Sequence, residues 1–380
     1  MTHLKVGFLS SHNYLDRHAF SGTLFSMYRA LDRQDLTLVN LGWPSKRIFL
    51  QKILRRLGLQ KNDPLKVRHE NFESEAKRFT ALVQKQIQRQ GCDVIFAPIA
   101  SAEMAFLETQ VPIVYSSDAT LKQRSIEYKL NLPQHQFDAY DKLEFEAIAR
   151  AKRIVYSSDW SVRSAIADYG ADPGKLVVVD YGANLEDIPP ADAIYARCQN
   201  PTCKLLFIGK DWQRKGGEIA FQILLALLEK GVDAELCMIG CVVPSHIQHP
   251  KLTTIAFLNK DIPQERQQLC NLFLGANFFV FPTQADCSPI VTCEANAFGL
   301  PIISTDVGGL PSIMRNGQNG FMLSRTAPPS DYADAIAQSF SDKDRYRQLV
   351  ESARAEYDTR LNWDTWGQKV HGTLAEAAGR

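Results

Sequence analysis

Two acids in the segment FFVFPTQADCSPIVTCEANAFGLPIIST, residues 278–305, sit where packing alone does not require them. Asp286 lies in a loop after an apolar run, and Glu294 follows seven residues later, inside what reads as a helix. Carboxylates are acceptors only, so the pair suits a ligand rich in hydroxyl groups. Earlier in the chain, GKDWQRKGG at 209–217 places Lys210, Arg214 and Lys215 beside Gly216 and Gly217. Lysine acts on phosphate as a point charge, and glycines let the backbone approach closely. A helix beginning near Pro289 adds free amides and the positive end of its dipole. A diphosphate between these elements would leave Glu294 to accept from ribose hydroxyls and Asp286 to face the group beyond. Singly, Lys215 reads as a surface lysine and Asp286 as a loop cap. Their conjunction is what points to a ligand.

Strands must carry these residues to one place. The run 278–281 is apolar and long enough for a buried strand, closed by Pro282. Ser288 is expected to cap the following helix, Pro289 to take its first position, and Gly299 to end it in a left-handed conformation. The runs 5–10, 36–41, 93–97, 112–115, 153–156 and 176–180 are unalternating and rich in Val, Ile and Leu, as strands covered on both faces are. Helical stretches separate them, which predicts an α/β class and a doubly wound parallel sheet. A second set follows at 205–209, 235–240, 253–257, 278–281, 302–304 and 320–323. Between the sets, a polar, proline-bearing segment up to about Thr202 marks a boundary. The expectation is two Rossmann-like domains facing across a cleft, over 1–185 and 203–355, with a helix in 360–380 packing back on the first.

Ligands on such sheets bind beyond the carboxyl ends of the strands. In the first half, the loop after the first strand holds His12 and His18, and Ser21-Gly22-Thr23 opens a helix running to about Ala30. Ser116, Ser117 and Asp118 follow the fourth strand. Residues 46–68 carry eight basic residues against one acid, Asp63, with apolar residues at helical spacing. That segment reads either as an amphipathic helix on an anionic membrane or as a solvated helix packed on its own domain.

Composition narrows the classes. A length of 380 residues suits two domains, and 45% apolar with 22% charged residues suits a globular chain. A net charge of +1 provides no global field toward nucleic acid. The eight cysteines form no CxxC pair and several fall in apolar runs, the pattern of buried thiols in a reducing compartment rather than of disulfides or a metal site. With a short apolar N-terminal run and no spanning stretch, the expected location is cytoplasmic, meeting at most the inner face of a membrane through 46–68.

GK…KGG at 209–217, the Asp286–Glu294 pair, FGLP at 298–301, DVGGLP at 306–311 and NGQNGFML at 316–323 resemble the donor domain of the retaining family 4 glycosyltransferases, of GT-B fold. In layout the resemblance spans nearly the whole chain, including SGT at 21–23 and the closing tryptophan-bearing helix. It implies transfer of a hexose from a nucleotide-diphosphate sugar to an acceptor saccharide, lipid or metabolite, with retained anomeric configuration, no cofactor and no metal. Carried over, the catalytic set is Asp286, Lys215 and Asp118. Gly209, Lys210, Lys215, Ser288, Ile290, Val291 and Glu294 would bind the donor, and Ser21, Gly22, Thr23 and His12 would line the acceptor side.

The chain departs from the family pattern at four places. Asp286 stands where the family has glutamate, which withdraws the carboxylate by about 1.5 Å. Lys210 replaces arginine and loses the bidentate fork. Pro289 removes an amide donor at the helix start. Ser117 stands where many members have histidine, with Asp118 taking part of that role. Two other classes stay open: a nucleotide-sugar epimerase or hydrolase, which would react without acceptor, and a non-catalytic nucleotide-binding, membrane-associated protein, which would consume no donor.

Overall fold

Strand patterning with no alternation has its explanation in the sheets. Phe278 and Val280 enter one apolar cluster with Leu205, Phe207 and Ile303, while Phe279 and Phe281 enter another with Leu206 and Ile302. The strand 278–281 thus buries both faces, and the run FFVF has no polar side to present. The computed structural model describes residues 3–10, 12–42 and 72–380, so the basic segment 46–68 lies outside the described residues.

The chain divides into two units, Met1–Val179 with Gly367–Arg380, and Asp180–Trp366. In the first, β1 (Leu4–Phe8), β2 (Leu36–Asn40), β3 (Val94–Pro98), β4 (Ile113–Ser117), β5 (Arg153–Tyr156) and β6 (Leu176–Val178) form one parallel sheet in the order β2-β1-β3-β4-β5-β6. Its core includes Leu9, Ile95, Ala97, Met104, Ile148 and Ile154. In the second, β7 (Cys203–Ile208), β8 (Ala234–Ile239), β9 (Leu252–Ile255), β10 (Phe278–Phe281), β11 (Ile302–Thr305) and β12 (Gly320–Leu323) take the order β12-β11-β10-β7-β8-β9, again parallel. This is the expected α/β class, and the strand ends fall within two residues of their sequence positions.

The segment read as a boundary is built into the second unit. Its short helical turn Ala191–Gln199 carries Arg197, whose buried guanidinium donates to the carbonyls of Ile194 (3.0 Å), Phe273 (3.2 Å) and Phe298 (2.8 Å). At the other end, Arg360 donates to the Ser312 and Ile313 carbonyls and pairs with Asp180 at 3.0 Å. No helix among the described residues is long and apolar enough to cross a membrane.

Candidate functional site

The second sheet reverses its direction of growth between β7 and β10: the chain lays down β7, β8 and β9 toward one edge, then returns to place β10 on the other side of β7. Loops leaving adjacent strands at such a point are where α/β sheets bind ligands. Here those loops, 209–216 and 282–289, are bonded together. The Gln284 amide donates to the Arg214 carbonyl at 2.7 Å, and the Arg214 guanidinium returns a bond to the Ala285 carbonyl at 2.9 Å. Gly216, at φ +76°, makes the approach possible, since a Cβ there would stand 2.1 Å from the Pro282 carbonyl oxygen.

Within this junction the buried Asp286 carboxylate hydrogen-bonds the Lys215 ammonium and lies 3.7 Å from the Arg214 guanidinium. The Lys215 ammonium also stands 4.7 Å from the centre of the Phe281 ring. Gly209 adjoins the Lys215 side chain, whose Cγ would be 2.9 Å from a Cβ at that position. Lys210 is placed otherwise: it is exposed, with its ammonium 5.9 Å from the Phe257 ring centre.

The helix after the loop is Ile290–Ala297, and its start corrects the sequence expectation. Pro289 is the cap rather than the first helical residue, at φ −73° and ψ 97°, and Ser288 lies outside. The extended ψ of Pro289 takes it out of the helix, and no side chain caps the end. The leading amides, those of Ile290 and Val291, have no partners within the helix by its geometry. Gly299 adopts φ +56°, as its position after the helix requires.

Glu294 projects from this helix into a buried setting, and its partner is Lys260, from the loop after β9, at 2.5 Å. Burial pushes the Glu294 carboxyl up, while Lys260 and the Asn184 amide pull it back down. Lys260 also donates to the Asn184 carbonyl at 3.3 Å.

In the first unit the sheet reverses between β1 and β3. The helix after β1 is Thr23–Asp32, with Gly22 as cap, so Ser21 precedes it rather than opening it. Phe20, Ser21 and Gly22 are consecutively left-handed, at φ 53°, 55° and 82°. His12 lies edge-on to Phe20, with ring centres 6.2 Å apart, and burial lowers its pKa. Ile99, directly after β3, is also left-handed at φ 54°, a costly conformation for a β-branched residue and of the sort that gathers at functional sites. Asp118 follows β4, and its carbonyl accepts from the Ser161 hydroxyl at 2.7 Å.

Of the residues singled out by sequence, Lys215 and Asp286 are thus in contact, while the Lys210 ammonium stands near the Phe257 ring. Sequence reasoning missed Lys260. The signal was available, since Lys260 follows a strand end and loops after strand ends are where such sheets work. It likewise missed the stacked Tyr14 and Tyr28 rings, 4.5 Å apart beside the first loop. Among the described residues no group of three His, Cys, Asp or Glu side chains is arranged to hold a metal ion, and all eight cysteines are free thiols.

Residues 202–342 match the family described as "Glycosyl transferases group 1". The D-inositol 3-phosphate glycosyltransferase of Nocardia farcinica is 27% identical over 220 residues, 54% of this chain and 49% of that protein. The chain spans about half the length of the curated relatives it matches. Among solved structures, sucrose-phosphate synthase from Thermosynechococcus elongatus aligns with a TM-score of 0.66 at 15% identity, over 98% of each chain. Anabaena Alr3699/HepE, solved with UDP and glucose, aligns at 0.63 and 17% identity, over 98% of this chain and 100% of that one. At these identities the structural likeness establishes the fold.

Proposed function

Residues 202–342 are a glycosyl transferases group 1 domain in a chain of GT-B fold, and from that premise we propose that the protein moves a hexose from a nucleotide-diphosphate sugar to a hydroxyl acceptor with retained anomeric configuration. The observation that carries this reading is the Lys215–Asp286 contact, set at the junction of the loops after β7 and β10 and ahead of an uncapped helix end.

The roles follow from charge. Lys215, with Lys210 and the leading amides of Ile290–Ala297, would hold the diphosphate and stabilise the charge it gains on leaving. Asp286 would face the transferred hexose, and Glu294 would accept from the ribose hydroxyls. Attack on the face the diphosphate leaves, through an oxocarbenium-like state, lets that diphosphate take the proton of the incoming hydroxyl. The sugar–phosphate bond breaks, the sugar–acceptor bond forms, and the proton ends on phosphate. Neither a metal nor a cofactor enters this scheme. The Anabaena protein was solved with UDP and glucose, and the Nocardia relative is named for inositol 3-phosphate, which makes UDP-glucose and inositol 3-phosphate the first donor and acceptor to try. A cytoplasmic enzyme touching an anionic membrane through 46–68 fits the charge of that segment, and co-sedimentation with anionic against neutral liposomes tests it.

Thermal unfolding in the presence of UDP, GDP, ADP and their hexose conjugates is the direct test. At least one diphosphate should raise the transition by several degrees at saturating concentration. No response to any of them would remove the basis of the proposal.

A further inference from the structure

Lys260 reaches Glu294 from an unexpected direction. It leaves the edge strand β9, whereas Glu294 lies on the helix that follows β10, three positions away in the sheet. The two side chains are unequal: 39% of Lys260 is exposed against 5% of Glu294. Lys260 is itself braced. Its carbonyl accepts from Arg266 at 3.2 Å, and Arg266 pairs with Asp187 at 2.9 Å and Glu186 at 3.4 Å. Its ammonium also bonds the Asn184 carbonyl, and the Asn184 side chain accepts from the Trp363 indole at 2.9 Å.

A buried carboxylate held by a single amide can rotate, and it recognises paired hydroxyls poorly unless it is fixed. Charge-assisted bonds to a carboxylate are strong and directional. With Lys260 on Oε1, the remaining acceptor positions of Glu294 point in a fixed direction. We propose that Lys260 is a positioning residue for the nucleotide: it holds the Glu294 carboxylate in the orientation that receives vicinal ribose hydroxyls, and so lets the site prefer ribonucleotides over 2′-deoxyribonucleotides. The inference rests on the donor site proposed above and adds to it a residue and a selectivity.

Calorimetric affinities of UDP, GDP, ADP and their 2′-deoxy forms would be compared for the full chain, Lys260→Met and Lys260→Arg. The unsubstituted protein should prefer the ribose form of its cognate diphosphate by about tenfold, the effect of one charge-assisted hydrogen bond. Lys260→Met should reduce that ratio to about twofold or less, chiefly by weakening the ribose form, and Lys260→Arg should keep most of it. Lys260→Met leaves the buried Glu294 carboxylate without its ammonium and should lower the unfolding midpoint by several degrees, whereas Lys260→Arg should stay near the parent, so affinities are compared well below either midpoint. A Lys260→Met protein that keeps the parental ratio, or weakens both sugars equally, overturns the inference. So does a parent that binds a diphosphate without any ribose preference, and that result leaves the donor site standing. A parent that binds none of the diphosphates fails the proposed function itself.

Discussion

The backbone carbonyl of Asp286 occupies the space that a side chain at residue 308 would need: a Cβ on Gly308 would stand 1.8 Å from its oxygen. Gly308 is left-handed at φ +54°, and the next amide, Gly309, donates to the same carbonyl at 3.2 Å. The turn after β11 therefore sets where Asp286 sits. Gly308→Ala combines a strained φ with a backbone clash and should cost about 2–4 kcal/mol of stability. Under the role proposed for Asp286, donor turnover should fall at least about tenfold, because displacing its carboxylate by about 1 Å would cost the site its geometry. Unfolding and turnover measured on the same preparation check this. Unchanged turnover would mean that Asp286 is positioned by something other than its backbone.

Lys215→Ala should reduce turnover by about 100-fold or more, since in the proposed mechanism it removes a cation that stabilises the departing phosphate. It also strips the buried Asp286 of its closest partner, which should cost about 2–4 kcal/mol. Lys215→Ala with Asp286→Asn should recover part of that stability and none of the activity. A double-mutant cycle separates the two effects. Turnover within a few-fold of the parent in Lys215→Ala would refute the assignment.

The sheets were legible in the sequence because a strand buried on both faces cannot hide its composition, as 278–281 illustrates. That Lys215 and Asp286 share one site was legible because both lie in loops after strands of the second set; their direct contact was not, since it depends on β10 lying beside β7. The helix start was misread because local preference puts proline at the first helical position, whereas the loop holds Pro289 extended. Lys260 could not be matched to Glu294 without the strand order, since their proximity depends on how far β9 lies from β10. The polar, proline-bearing segment up to about Thr202 reads as a boundary by composition, yet side chains of the second unit hold it, Arg197 from within and Arg266, Arg354 and Trp363 from outside. Polar composition reports solvation preference and not which carbonyls stand in need of a donor.

Arg197 gives a stability prediction. It is buried, and its guanidinium serves carbonyls at the ends of two helices, Pro263–Gly275 and Ile290–Ala297. A cation near helix carboxyl ends is favoured by their dipoles, and burial lowers its pKa against that gain. Arg197→Met keeps much of the volume and leaves three carbonyls without this donor, at a cost of about 2–5 kcal/mol. Denaturant unfolding reads the loss. Because the second helix also carries Glu294, nucleotide affinity should fall with stability in this variant. A midpoint within experimental error of the parent would show that water replaces the guanidinium without cost.

Glu103, in the short helix Ser101–Met104 of the first unit, supplies the pH dependence. Burial pushes its carboxyl from 4.5 up to about 7, with a backbone hydrogen bond acting in the opposite direction. A carboxyl whose folded pKa is raised binds its proton more tightly in the folded chain. Its contribution is therefore fully present below 4.5 and lost as pH rises through about 7. Glu144, hydrogen-bonded by Tyr115 at 3.0 Å and also raised by burial, acts with the same sign. The melting temperature should fall between pH 5 and 7.5 from these groups, and Glu103→Gln should flatten part of that slope, worth about 1–3 kcal/mol across the window. Unfolding followed across that range for both proteins tests it. An unchanged slope in Glu103→Gln would show that Glu103 ionises normally, and a parent whose stability rises with pH would mean that other groups dominate.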